Sequence, residues 1–213
     1  MGNVMLNRFA EGVTHFPMST AGGWRLTADI NPYLIAMFRS LLDDEPQYFP
    51  IEKELYKNAY NAYKYSEEDK FSQSDLGWIG FMASYNGKFF NGYSGVSHGR
   101  NYVFESIKNI LNQVDSLRGV EFHCCSYDKL KIPKKSIIYC DIPYCGTTKY
   151  QNDFDYDKFY RWCFDKKSEG HRVYISEYWM PDDFDCIWSM KVDNSLDRYS
   201  EQRSFKTERL FTI

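Results

Sequence analysis

The sequence predicts an α/β domain built on a largely parallel sheet. The first part of the chain runs helix, strand, helix. The second part alternates β-branched strand runs with a helix. Between them, a stretch rich in glycine and aromatic residues interrupts the alternation. Strand and helix alternating in this way is the pattern of a sheet covered by helices. The 213 residues suffice for one domain with a proper core and are too few for two large ones.

Met1 to Ala10 reads as the start of a helix, with Val4, Met5, Leu6 and Phe9 as its apolar face and Gly2-Asn3 as the loop before it. Arg25 to Ile30 reads as a short strand. It ends at Asp29-Ile30-Asn31-Pro32, where Pro32 suits the first turn of a new helix. Tyr33, Leu34, Met37, Phe38, Leu41 and Leu42 continue at helical spacing. Glu52 to Tyr65 is the next helix, and Asp75 begins another through Leu76, Trp78, Ile79 and Phe81.

Ser84 to Tyr102 then changes texture. Gly87, Gly92, Gly95 and Gly99 lie among Tyr85, Lys88, Phe89, Phe90, Tyr93, His98, Arg100 and Tyr102, which predicts a loop or small hairpin insert. Val103 to Leu117 resumes helix. Val120 to Cys125, Ser136 to Cys140 and Arg172 to Ser176 are strand-like. Phe159 to Ser168 is a helix stopped by Gly170. Ile187 to Val192 and Thr207 to Ile213 are β-like runs around the polar loop Asp193 to Phe205.

Aromatics make up 18% of the chain, and core packing accounts for most of them. The formal net charge is −3 and the pI about 5.8, so nucleic-acid contact requires a local patch, not a basic surface overall. The six cysteines, Cys124, Cys125, Cys140, Cys145, Cys163 and Cys186, show no paired C-x-x-C pattern. They read as reduced thiols, mostly buried, and no metal site is expected. No signal peptide opens the chain and no apolar run is long enough to cross a bilayer, which points to the cytoplasm and to no membrane partner.

The strongest local signal is Tyr139-Cys140-Asp141-Ile142-Pro143-Tyr144. An apolar strand runs directly into an acid, then a rigid proline and an aromatic. Ligands of open α/β sheets sit at the carboxyl ends of strands, which turns Asp141 and Tyr144 toward a cleft. Taken alone, Asp141 as a turn cap and Tyr144 as packing is the stronger reading.

Asp141-Ile142-Pro143-Tyr144 resembles the D-P-P-Y motif of amino-group DNA methyltransferases. Other segments match the Dam-like, phage-type DNA adenine N6-methyltransferases in order. Gly2-Asn3-Val4-Met5-Leu6 resembles the end of their glycine-rich cofactor loop. Asp29-Ile30-Asn31-Pro32 resembles the acidic end of their second strand, and Ser84 to Tyr93 their target-recognition insert. Ser126-Tyr127 resembles the motif before the catalytic strand, and Lys206 to Phe211 their closing strand. These ordered matches span nearly all of the chain.

The resemblance implies a Rossmann-like methyltransferase sheet, mostly parallel, with an antiparallel strand near the C-terminus and a small helical and loop insert for target recognition. Residues 1–50 and 119–213 would form the catalytic domain and 51–118 the insert. The implied cofactor is S-adenosylmethionine, held by Gly2, Asn3, Asp29, Ile30, Ser126 and Tyr127. Asp29 would bind ribose hydroxyls, although as a residue it serves equally as an ordinary N-cap for the Pro32 helix.

The implied partner is double-stranded DNA with an adenine-containing site, contacted by Lys88, Phe89, Phe90, Asn91, Tyr93 and Arg100. Taken alone, that stretch reads equally as a mobile surface loop. The adenine amine is a poor nucleophile because its lone pair is delocalised into the ring. The Asp141 carboxylate and the Ile142 carbonyl would accept hydrogen bonds from its N–H groups, and Tyr144 would stack on the flipped base. Ile142 departs from the family's proline. It keeps the carbonyl, loses a fixed φ and adds an N–H that needs a partner. Pro143 keeps its place in the motif.

In the family a basic segment and a first strand precede the cofactor loop. By this alignment the chain lacks both. Three expectations follow: a start that lies upstream of Met1, a second polypeptide that supplies the strand, or a truncated, silent remnant whose sheet has re-paired by dimerising through the exposed edge.

Overall fold

The structure is a computed structural model that describes residues 3–7, 25–43, 49–67, 69–144, 154–193 and 205–213. It is mixed α/β and divides into two units. The first comprises Met1–Arg8, Gly23–Leu26 and Asp128–Ile213, the second Phe9–Gly22 and Thr27–Tyr127.

In the first unit, β1 (Asn3–Asn7) lies parallel to β6 (Ile137–Asp141), and β6 parallel to β7 (Arg172–Glu177). The sheet continues through β9 (Phe205–Thr212), antiparallel to β7, to β8 (Asp185–Asp193), antiparallel to β9. The expected helix at the start of the chain is therefore a strand. A short run of consecutive apolar residues fits a strand buried on both faces as well as it fits a helix, and here the parallel pairing decides. The expected absence of a strand beside β6 is corrected with it: β1 fills that place, and no second chain or dimer is needed to supply it.

Strand alternation sorts this sheet into two faces. Ile138, Cys140, Val173, Ile175 and Phe211 are buried on one. The thirteen-residue helix α6 (Tyr156–Ser168) brings Phe159, Trp162 and Cys163 to the core. Asp155 caps α6 by accepting the Lys158 N–H at 2.9 Å, and Lys166 and Lys167 complement the dipole in its last turn. The other face carries Tyr139, Asp141, Tyr174 and Ser176, all half-buried.

The cysteines are free where described. Cys140 and Cys163 are buried, Cys124 and Cys186 are exposed, and Cys125 lies between, so burial is less general than composition suggested. Cys145 lies outside the described residues. Burial first, then the neighbouring Cys163 thiol, pushes the Cys140 thiol well above the usual range.

In the second unit, β5 (Val120–Cys124) lies beside β2 (Arg25–Asp29). Helix α1 (Pro32–Ser40) follows β2 with Pro32 in its first turn. The Asn31 side chain caps it, accepting from Tyr33 N–H at 3.0 Å and Leu34 N–H at 3.2 Å. Leu34, Ile35, Met37 and Phe38 face the core.

Helix α2 (Lys53–Lys64) buries only Tyr56, Ala59 and Ala62, whereas α3 (Gln73–Met82) is buried from Leu76 to Met82. Helix α3 starts with a capping box: Ser72 Oγ accepts the Asp75 N–H, and Asp75 accepts the Ser72 N–H. We expect Ser72→Ala to cost about 1 kcal/mol, measured by urea denaturation.

The single helix expected over 103–117 is two, α4 (Tyr102–Leu111) and α5 (Val114–Leu117). Asn112 ends α4, and the Gln113 side chain bonds back to the Asn109 carbonyl at 3.0 Å. Among the described residues, no helix is long and apolar enough to cross a membrane.

Candidate functional site

The carboxyl end of β6 places Asp141 in register with Ser176 of β7 on one side and Asn7 of β1 on the other. Asp141 is half-buried. Ile142 and Pro143 behind it are buried, so isoleucine sits here as an apolar packing residue. The Pro143 carbonyl accepts the Tyr156 hydroxyl at 2.8 Å, which ties the turn to the start of α6.

Tyr144 is held at its far end. Its hydroxyl donates to Glu208 Oε2 at 3.0 Å, with Ser176 Oγ at 3.5 Å. Its ring lies 4.3 Å from that of Tyr178 at 52°. The Lys206 ammonium sits 4.9 Å from the Tyr178 ring centroid, and Arg209 donates to the Tyr178 carbonyl.

Burial chiefly, then the charges of Asp141 and Glu208, pushes the Tyr144 hydroxyl far above the usual phenol range. Tyr139 is raised by burial and then by Asp141, against a lowering bond from Ser176. Both phenols therefore stay protonated as hydrogen-bond donors. Glu177, in β7, is almost wholly buried and accepts the Tyr178 N–H at 2.7 Å.

Sequence reasoning assigned no role to Ser176, Glu177, Tyr178 or Glu208. For Ser176-Glu177-Tyr178 a signal exists: polar residues follow an apolar strand there, as Asp141 follows β6. For Glu208 none does, because its partner lies 64 residues away.

The second unit gathers a further group at the ends of β2 and β5. Asp29 is buried and its carboxylate accepts the Asn31 N–H at 2.6 Å. The helix cap that competed for Asp29 is Asn31 instead. The Asp29 carbonyl accepts the Cys125 N–H at 3.1 Å, which brings Ser126 and Tyr127, both half-buried, to the same strand ends. Ile30 is 51% exposed there.

The remaining cofactor expectations fare differently. Gly2 lies outside the described residues. Asn3 pairs with Ile137 at the amino end of the parallel strands, and Asn7 lies at the carboxyl end beside Asp141. A ligand loop belongs at the carboxyl end, so Asn3 does not occupy the position expected of it.

The insert is folded onto α2 and α3. Phe89 stacks on Tyr33 at 5.0 Å and 17°, and Phe90 on Tyr63 at 5.4 Å and 20°. Phe89, Phe90 and Tyr93 all pack against the core of the unit. The Tyr93 hydroxyl donates to the Ile51 carbonyl at 3.1 Å, and Tyr56 and Ser84 bond through their hydroxyls at 2.9 Å. The rings expected to wedge or stack on DNA are half-buried and pack on aromatic residues of their own unit. Apolar rings with aromatic partners close by bury against them, and those partners, Tyr33, Tyr56 and Tyr63, come from distant sequence.

A short hairpin of β3 (Val96–Ser97) and β4 (Arg100–Asn101) projects outward. It turns through His98 at φ 50° and Gly99 at φ 75°. Arg100 there pairs with Glu105 at 3.0 and 2.5 Å and lies 5.1 Å from the Tyr102 ring. Asn91 is exposed and Lys88 half-buried.

No protein-family model matches this chain, and no curated protein matches it in sequence.

Proposed function

We propose that the chain is an S-adenosylmethionine-dependent methyltransferase acting on the N6 amino group of adenine in double-stranded DNA, built on a Rossmann-like sheet. One observation carries this reading most. A carboxylate ends a strand of a parallel run, a buried proline turn follows it, and the next side chain is an aromatic ring anchored through its hydroxyl.

In this reading Asp141 and the Ile142 carbonyl accept hydrogen bonds from the two amine N–H groups, one proton being lost as the methyl is gained, and Tyr144 and Tyr178 border the flat base. S-adenosylmethionine, when bound, supplies the electrophilic methyl group. The buried Asp29 carboxylate and the exposed Ile30 suit a ribose and an adenine ring, with Ser126 and Tyr127 beside them. Within the insert, the exposed Asn91 would contact phosphate, and Arg100 would do so by exchanging its partner Glu105. The alternative, a silent DNA-binding or scaffold remnant, drew its motive from an absent strand and from Ile142; β1 answers the first, and detection of N6-methyladenine in treated DNA would answer the second.

The test is methyl transfer from labelled S-adenosylmethionine to unmethylated duplex DNA, followed by separation of the nucleosides. Label in N6-methyldeoxyadenosine is the expected result. Folded protein that labels no adenine in duplexes of mixed sequence would overturn the reading. Separately, Asp29→Ala is expected to weaken S-adenosylmethionine binding roughly tenfold or more in calorimetry, the scale of losing a hydrogen bond to a charged group. Unchanged affinity would remove Asp29 from the site.

A further inference from the structure

We propose that Glu208, on β9, is the positioning residue that fixes the ring of Tyr144 for its contact with the base. The proposal rests on the reading of Asp141–Tyr144 as the base-binding segment. A tyrosine ring held only by its backbone swings about two side-chain torsions. Here the other end is held as well, because the hydroxyl donates to Glu208 Oε2 at 3.0 Å. A hydrogen bond to a charged acceptor is among the stronger kinds.

Ser176 is the weaker partner: at 3.5 Å it lies at the limit of hydrogen-bonding distance. The same strand also supports the neighbouring ring. Lys206 lies 4.9 Å from the Tyr178 centroid, and Arg209 bonds to the Tyr178 carbonyl. Alternate residues of a strand share a face, so Lys206 and Glu208 reach the Tyr178 and Tyr144 rings from one side of β9. The C-terminal strand thus sets the plane of an aromatic pair that the motif alone leaves free, and positioning of this kind contributes directly to rate.

The experiment compares single-turnover methyl transfer by wild type, Glu208→Ala, Glu208→Gln, Tyr144→Phe and the double variant Glu208→Ala/Tyr144→Phe. Glu208→Ala and Tyr144→Phe are each expected to lower the rate roughly tenfold. The double variant is expected to be no slower than either single one, and KM for S-adenosylmethionine to be unchanged. Glu208→Gln keeps an acceptor oxygen and should retain nearly the wild-type rate. Additive losses, or a loss in Glu208→Gln equal to that in Glu208→Ala, would overturn the proposal. Glu208→Met keeps the volume without the acceptor and takes the place of Glu208→Ala if that variant does not fold.

A second readout does not depend on activity. In protein labelled with ¹³C at tyrosine Cζ, the resonance missing from Tyr144→Phe identifies Tyr144. It is expected to shift in Glu208→Ala and to hold its place more closely in Glu208→Gln. A resonance unmoved in Glu208→Ala sinks the proposal. If wild type transfers no methyl group, the functional reading fails by itself, and this resonance still decides whether Glu208 holds Tyr144.

Discussion

Asp141→Ala is expected to reduce methyl transfer to DNA by roughly 10²–10³-fold, the scale for removing one preorganised partner of a developing charge. The effect is electronic. The adenine amine must become tetrahedral before its lone pair can attack, and an acceptor on its protons favours that geometry. Asp141 supplies a charged acceptor, and the Ile142 carbonyl a neutral one. Asp141→Asn keeps a side-chain oxygen and should therefore lose less than Asp141→Ala.

Folding should survive both changes. Asp141 is half-buried and lies on the polar face of the sheet, away from Ile138 and Cys140. Its charge also contributes to raising Tyr139 and Tyr144, so removing it eases those phenols toward ordinary behaviour. The measurement is single-turnover transfer together with a thermal unfolding midpoint. A full rate in a folded Asp141→Ala would end the mechanism, even if the protein methylates DNA.

Much of this site was legible because it is local. Asp141 to Tyr144 is a strand running into an acid and a proline, and nearby residues determine that geometry. Asp29 to Pro32 was legible for the same reason, and only the division of labour was unreadable. Asn31 caps α1, while Asp29 braces the turn before it. What was not legible depends on long-range partners. Val4-Met5-Leu6 is too short a run to tell helix from strand, and only pairing with β6 settles it. Phe89 and Phe90 look like a surface cluster until Tyr33, Tyr56 and Tyr63 are known to lie beside them. Glu208 has no meaning in sequence without Tyr144.

The largest expected effect on stability comes from one methyl group. Gly77→Ala would place a Cβ 2.1 Å from the Tyr33 carbonyl oxygen and 2.9 Å from Met37 Cβ. Alanine is the better helix former by about 1 kcal/mol, so propensity alone predicts stabilisation. Packing opposes it. The obstacle is the backbone of α1, which no side-chain rotation can clear, so α1 and α3 must separate. Forcing extra volume into a packed contact costs about 1–3 kcal/mol and occasionally more, and the backbone clash puts this site at the upper end.

Gly80 makes the informative contrast. A Cβ there meets the Phe89 ring at 2.5 Å and the Phe90 ring at 3.1 Å, which are side-chain atoms that can turn aside. Gly80→Ala should therefore be milder and should loosen the aromatic packing of the insert instead of the α1–α3 contact. Thermal unfolding compares the two. A net loss of about 2 kcal/mol corresponds to a midpoint lower by roughly 4–8 °C in a chain of this size. A Gly77→Ala protein as stable as wild type, or a Gly80→Ala protein less stable than Gly77→Ala, would mean that α1 and α3 do not approach as closely as described.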